Sequence, residues 1–434
     1  MKKRKMIVFA LVLFLLWGSL SLIFAGGAQE KEEKPVTIRQ AIFVSPSLVE
    51  YNKKMAEEFM TLHPNITVII ELVAFQDYLM KMQLDLATGT APDIIYINPS
   101  VNFPLVAYKG FVLPLNDYIK KDNFDMSDWY PEAVEWASFE GKLYGIAQEF
   151  GAGEPALYYN TGLFDEAGIS YPTKDWTYND LLEAAKKISR DTDGSGKIDQ
   201  FGIIPPYNTR HLSNNTVVRS FGGGWVSDDG KTSLVNRPET IEAVQFMADL
   251  VNVHNAAPLL PEGGQESAFG TGKIGMINGG LFSQIFLKGS KIVEEGKIGW
   301  TLMPKGKAGF ISGGAGFGGN AITSSCENPE AAWEWIKFIS TREYLRGYMD
   351  LGYQPAMKSL ADELGKSDSG MAVFIDAVKG AKPSGTSCAN LRDSEVIELL
   401  NQALGDVWAG KISAKEALDA VHPKIQKVLD MPAP

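Results

Sequence analysis

The chain has 434 residues, 45% of them hydrophobic and 21% charged, and a formal net charge of −11. That length exceeds one small core and predicts two lobes at roughly 100–200 residues each. The acidic balance argues against nucleic-acid and anionic-membrane binding, both of which need clustered Lys and Arg.

The first residues read as a leader. Lys2, Lys3, Arg4 and Lys5 precede the apolar run Met6 to Leu16, and the tract closes on Ala25-Gly26-Gly27-Ala28. That order is the pattern of a secretory signal peptide, cut after Ala25 or Ala28. A membrane anchor needs about 20 apolar residues, which Met6 to Ala25 just supplies; the small residues and the charged linker that follow favour cleavage. The expected divisions are a leader at 1–25 and a linker at 26–34. No Cys stands at the junction, which excludes a lipid anchor and predicts a soluble periplasmic product. Removing residues 1–25 removes four positive charges and leaves about −15. Cys326 and Cys388 have no framework spacing, so a bridge and two separate thiols both fit the sequence.

Residues 35–44 are β-branched and predict a strand. Residues 46–62 place Leu48, Met55, Phe59 and Leu62 at helical spacing. His63-Pro64 ends that helix, because a residue before proline leaves the α region. Strand 66–73, helix 75–86 ending at Gly89, and strand 91–97 follow. Strand alternating with helix predicts a parallel sheet covered by helices. After Gly151 a second α/β segment begins with strand 156–160. Thr177-x-x-Asp180 is a capping box ahead of a helix. Helix 238–253, strands 273–278 and 299–303, a helix opened by Asn328 and Pro329, and helices 394–408 and 413–429 complete the chain.

Catalytic constellations are missing. The four histidines, at 63, 211, 254 and 422, have no zinc spacing. Gly314 to Gly319 fits G-x-G-x-x-G by letter but opens into Asn320-Ala-Ile-Thr rather than a helix, so a dinucleotide site lacks its context. One local motif carries chemistry. Asp191, Asp193, Ser195, Lys197 and Asp199 stand at positions 1, 3, 5, 7 and 9 of a calcium loop. The twelfth position is Gly202 where a bidentate Glu is expected. The alternative is an Asp/Gly turn closed by its own hydrogen bonds. A structural calcium is the only cofactor that the sequence raises.

Several ordered segments then resemble one family: Phe59 to Val68, Leu86 to Ile95, Gly110 to Leu115, Gly141 to Ile146, Leu157 to Asn160, Leu163 to Ile169, Phe269 to Gly279 and Pro329 to Ile339. Together they resemble the family 1 extracellular solute-binding proteins of ABC importers, the group that includes the maltose-binding protein. The resemblance implies an α/β, two-lobe periplasmic binding-protein fold, a mixed sheet in each lobe and discontinuous domains. One lobe is expected at 35–148 plus 302–345, the other at 149–301 plus 346–434. It implies a monomer that is no enzyme, captures a sugar by hinge closure, and hands it to the importer's membrane subunits. A polyamine, a glycerol phosphate or another polar solute, and a receptor role for a membrane sensor, stay open as alternatives.

A sugar site needs aromatic faces and planar polar groups where loops leave strand ends. The residues expected there are Phe43 and Ser45 after the first strand, Asn98 and Ser100 after the third, and Glu149 and Glu154 at the lobe crossing. Tyr207, Asn208, Arg210 and His211 form a polar loop. Trp225 on a glycine turn is the leading stacking candidate. Asn278 and Phe282 match the family's cleft segment, Ser312, Gly313 and Gly314 offer backbone N–H groups, and Arg392 closes the site.

Overall fold

Alternating strand and helix between residues 36 and 97 builds a three-stranded parallel core. In the computed structural model, β1 (Val36–Phe43) pairs in parallel with β2 (Ile66–Val73) and β3 (Ile94–Ile97). The structure describes residues 34–43, 46–98, 102–152, 154–207, 212–259, 264–312, 315–367, 370–378 and 391–434. The leader expected at 1–25 lies outside the described residues. Among those, no helix is long and apolar enough to cross a membrane.

Both helices in this first unit stop where the sequence says they should. Helix Pro46–Leu62 ends at His63-Pro64. Helix Phe75–Thr88 ends on Gly89 at φ 73°, a left-handed cap that glycine adopts without a Cβ penalty.

The sheet then turns mixed. β4 (Ser138–Phe139) and β5 (Lys142–Leu143) form a small ribbon, and β6 (Ile146–Ala152) runs to the sheet's far edge. β11 (Ala315–Ile322) returns late in the chain and inserts antiparallel between β3 and β6, giving the order β2-β1-β3-β11-β6. β11 is the glycine-rich stretch that resembles a dinucleotide loop by letter. Glycine is depleted in strands, and here it is required by close approach. A Cβ on Gly318 would stand 1.6 Å from the Tyr96 hydroxyl, and one on Gly319 would stand 2.4 Å from the Ile146 carbonyl. Helix Pro329–Phe338 seals the sheet with Trp335. The indole donates to Gln40 Oε1 at 2.6 Å, and Gln40 donates in turn to Asn320 Oδ1 at 2.7 Å. Asn328 stands at this helix's cap position without a side-chain capping bond.

The second sheet has the order β10-β7-β9-β8, from β7 (Ala156–Asn160), β8 (Phe201–Ile204), β9 (Ile274–Gly279) and β10 (Ile298–Leu302). β8 and β9 are parallel and the other pairs antiparallel. Thr177 and Asp180 form the expected capping box on helix Tyr178–Ile188, a device that contributes about 1 kcal/mol. Ser413 caps the terminal helix Ala414–Leu429 by accepting from the Glu416 N–H.

Each sheet has its own hydrophobic core, so the architecture is two-lobed α/β with a mixed sheet in each lobe. The chain crosses between lobes at β6 to β7 and at β10 to β11. The division expected at 345/346 falls inside helix Arg342–Asp350, whose Tyr344, Leu345, Tyr348 and Met349 all belong to the first core. The first core continues through Tyr353, Met357 and Leu360. Helix Ala372–Val378 then straddles the boundary, with Phe374 in the second core and Ala377 and Val378 in the first.

Candidate functional site

The crossing from β6 to β7 brings two carboxylates together with strand ends of both sheets. Glu149 lies on β6, opposite Gly318 of β11. On β3 and β11, Ile97 stands opposite Gly319. Continuing that antiparallel register sets Asn98 opposite Gly318. Asn98 thus follows β3 on the side where Gly318 faces Glu149. The missing Cβ at Gly318 leaves room for the Tyr96 ring, whose hydroxyl donates to Glu149 Oε1. Phe43, at the end of β1, meets the Tyr96 ring edge-on at 5.2 Å.

Glu149 is half-buried. Loss of water raises its carboxyl from 4.5 to about 7, against the opposing pull of the Tyr96 hydrogen bond. Burial, and then the neighbouring Glu149 charge, push the Tyr96 phenol well above its ordinary value. A third segment braces the strand: Phe150 N–H donates to the Gln354 carbonyl at 3.0 Å, and Glu149 bridges to Pro355. A Cβ on Gly151 would stand 3.2 Å from Gln354 Oε1. Gln354 Nε2 is buried without a hydrogen-bond partner among the described residues.

Glu154 belongs to the other side of the crossing. It is 4% exposed and holds φ 44°, a left-handed conformation uncommon for a side chain of its size. Its Oε2 accepts from Asn278 Nδ2 at 3.1 Å. That bond fixes the amide orientation of Asn278, at the end of β9, and leaves its buried Oδ1 as an acceptor without a partner among the described residues. Gln265 donates to the Asn278 carbonyl at 3.0 Å, and Ser283 to Glu266 at 3.0 Å, which stiffens the turn carrying Phe282. The Phe282 ring is half-buried and meets Phe286, itself 61% exposed, at 6.3 Å.

Phe43 ends β1, Asn98 follows β3, Glu149 lies within β6, Glu154 stands on the crossing, Asn278 lies near the end of β9 and Phe282 follows it. Ser45, Ser100, Asn208, Arg210, His211, Gly313 and Gly314 lie outside the described residues, as does Cys388. Ser312 is buried on the connection from β10 to β11. Three expectations are corrected. Trp225 is 2% exposed and packs in the second core, where its carbonyl accepts from Leu234 N–H. Tyr207 is buried against Trp408 at 5.5 Å, and its hydroxyl donates to the Pro258 carbonyl. Arg392 donates to the Pro432 carbonyl and pairs with Glu395, so its guanidinium is drawn to the C-terminal segment.

The Asp191 loop closes on its own hydrogen bonds. Asp191 Oδ1 accepts the backbone N–H groups of Asp193, Gly194 and Ser195, and its Oδ2 accepts that of Gly196 at 2.7 Å. These bonds, the one from Gly196 foremost, hold its carboxyl below the usual range. Asp193 turns onto Ser195 N–H. Asp199 takes Lys273 and Thr192, which lower its carboxyl strongly. Gly202 lies in β8, where a Cβ would stand 2.1 Å from the Ala185 carbonyl, so no carboxylate side chain fits at the twelfth position. Among the described residues no three His, Cys, Asp or Glu converge to hold a metal.

The sequence did not single out Tyr96 or Gln354. Tyr96 leaves a faint signal, a lone hydroxyl in the apolar strand Ile94–Ile97. Gln354 leaves none, because its contact with β6 spans some two hundred residues of sequence.

A maltotriose-binding protein of Pyrococcus abyssi is 24% identical over 402 residues, covering 89% of this chain and 78% of its own. Among solved structures, an ABC substrate-binding protein of Listeria monocytogenes in complex with cycloalternan superposes with TM-score 0.81 at 24% identity, covering 92% of this chain and all of its own. A solute-binding protein of Thermotoga lettingae bound with α-D-tagatose gives TM-score 0.80 at 20% identity, covering 91% and 99%. The family model for bacterial extracellular solute-binding proteins matches residues 45–345. Two lobes with separate sheets, polar strand ends gathered at their crossing, and a family match over more than half the sequence agree: the chain belongs to the bacterial extracellular solute-binding protein family.

Proposed function

We propose that this protein captures a sugar between its lobes by hinge closure and delivers it to the membrane subunits of an ABC importer. The observation that carries the reading is the pair Glu149 and Glu154, one on each side of the lobe crossing, with Asn98 and Asn278 beside them. Sugars present hydroxyl donors around a ring whose C–H faces pack on aromatics; Phe43 ends β1 and Phe282 follows β9. The similar proteins named above carry carbohydrate ligands: maltotriose, cycloalternan and tagatose. In this reading the output is binding and release, with no bond made or broken. The protein acts as a monomer outside the cytoplasmic membrane after loss of its leader, and the Asp191 loop serves as a turn.

Thermal melting against maltotriose, D-tagatose, D-mannitol, spermidine and sn-glycerol 3-phosphate tests the reading. A ligand at a hundredfold excess over its Kd adds about 2.7 kcal/mol to the folded state and raises Tm. A rise with one of the carbohydrates is expected. A rise with spermidine or sn-glycerol 3-phosphate alone would replace the sugar with that solute.

A further inference from the structure

We infer, resting on the sugar-capture reading, that Gln354 is a ligand-contact residue, whose amide donates to a sugar oxygen beside the hydroxyl that Glu149 accepts. Gln354 reaches β6 from the segment that follows helix Arg342–Asp350, and its carbonyl accepts from Phe150 N–H at 3.0 Å. The neighbours hold the same pairing. Glu149 bridges to Pro355, and Ala356 N–H donates to the Gln148 carbonyl at 3.0 Å. The backbone at 354–356 is thus tied to β6, which fixes where the Gln354 side chain starts.

Glu149 and Gly151 stand two residues apart on β6, opposite Gly318 and Gly316 of β11. Side chains at that spacing leave a strand on the same face, roughly 7 Å apart. A Cβ on Gly151 would stand 3.2 Å from Gln354 Oε1 and 3.6 Å from its Cδ. The amide therefore lies over the bare backbone of Gly151, on the face from which the Glu149 carboxylate projects. Tyr96 takes one oxygen of that carboxylate, which orients the other. Gln354 is 6% exposed, and its Nε2 is buried without a hydrogen-bond partner among the described residues. Buried polar side-chain atoms are mostly paired, so an N–H held here calls for an oxygen from the ligand. A donor beside an acceptor matches a polyol, whose oxygens accept as well as donate. An ammonium has donors only and would leave the Gln354 N–H unpaired.

Isothermal titration calorimetry of the purified protein with maltotriose, D-tagatose, D-mannitol and spermidine tests this, on the parent, Gln354→Met and Gln354→Glu, alongside thermal melting without ligand. Gln354→Met keeps the side chain's length and removes the donor. Gln354→Glu keeps its shape and sets a second acceptor beside Glu149. Each is expected to weaken the carbohydrate that the parent binds by about tenfold, the size of one hydrogen bond. The Tm of Gln354→Met is expected to stay at or above the parental value, because no buried N–H is left unpaired. Gln354→Glu is expected to shift the ratio of carbohydrate to spermidine affinity about tenfold or more toward spermidine, which a loss of packing alone does not do. Parental carbohydrate affinity in Gln354→Met, whatever its Tm, makes the residue a brace for β6 and overturns the inference while sugar capture stands. An unchanged ratio in Gln354→Glu does the same. A parent that binds none of the three carbohydrates overturns both readings.

Discussion

Glu149→Gln is expected to stabilise the protein above neutral pH while weakening its hold on ligand. The native carboxyl titrates at about 7 against an ordinary 4.5. The folded state therefore binds the proton more tightly than the unfolded state does. The stability this contributes is fully present below about pH 4.5 and is lost as pH rises through 7. Above that, the native protein carries a desolvated carboxylate, at a cost of at most about 3 kcal/mol at 1.36 kcal/mol per pKa unit. Glutamine carries no charge, and its amide oxygen still accepts from Tyr96. Denaturant unfolding is expected to show the variant more stable than the parent at pH 8 and equal to it at pH 4.5. Ligand affinity is expected to fall about tenfold or more, the size of a hydrogen bond to a charged group. Equal stability at both pH values would mean that Glu149 is solvated in the folded protein. Unchanged affinity would remove it from the site.

Trp225→Ala is expected to cost about 3–5 kcal/mol, as for other large-to-small changes in a core. Its indole is 2% exposed. Gly224 N–H and carbonyl both bond Thr240 Oγ1, which locks the turn that delivers the ring. Gly223 has no room for a side chain, since a Cβ there would stand 2.7 Å from the Thr240 nitrogen. Urea unfolding measures the loss, and Trp225→Phe is expected to recover part of it. Affinity per folded molecule is expected to stay within about twofold, because the ring faces the second core rather than the strand ends. A variant of parental stability that has lost its ligand would restore Trp225 as a stacking residue.

This contrast shows what local sequence encodes. A glycine run before an indole marks a turn with an aromatic on it, and a stacking platform and a core plug share that pattern. Only the packing of helix Pro238–Asn252 against the turn, through Thr240, decides between them. The helices and outer strands were legible because they rest on short-range rules: proline after His63, glycine at 89, the capping box at Thr177 and Asp180. β11 was not, because its glycines argue against a strand until Tyr96 and β6 are seen lying against it. Glu149 and Glu154 were legible as carboxylates at a crossing. Their partners were not, since Tyr96 is 53 residues away from one and Asn278 is 124 from the other. The Asp191 loop shows the same limit. Its letters match a calcium loop, and they do not show that Asp199 takes Lys273, 74 residues further on.

The most direct test of the central claim is a crystal structure of the protein grown with the carbohydrate that raises its Tm. The sugar is expected between the two sheets, its hydroxyls within hydrogen-bond distance of Glu149 and Glu154, with Phe43 or Phe282 against its ring. A sugar bound elsewhere, with no hydrogen bond to either carboxylate, would contradict it.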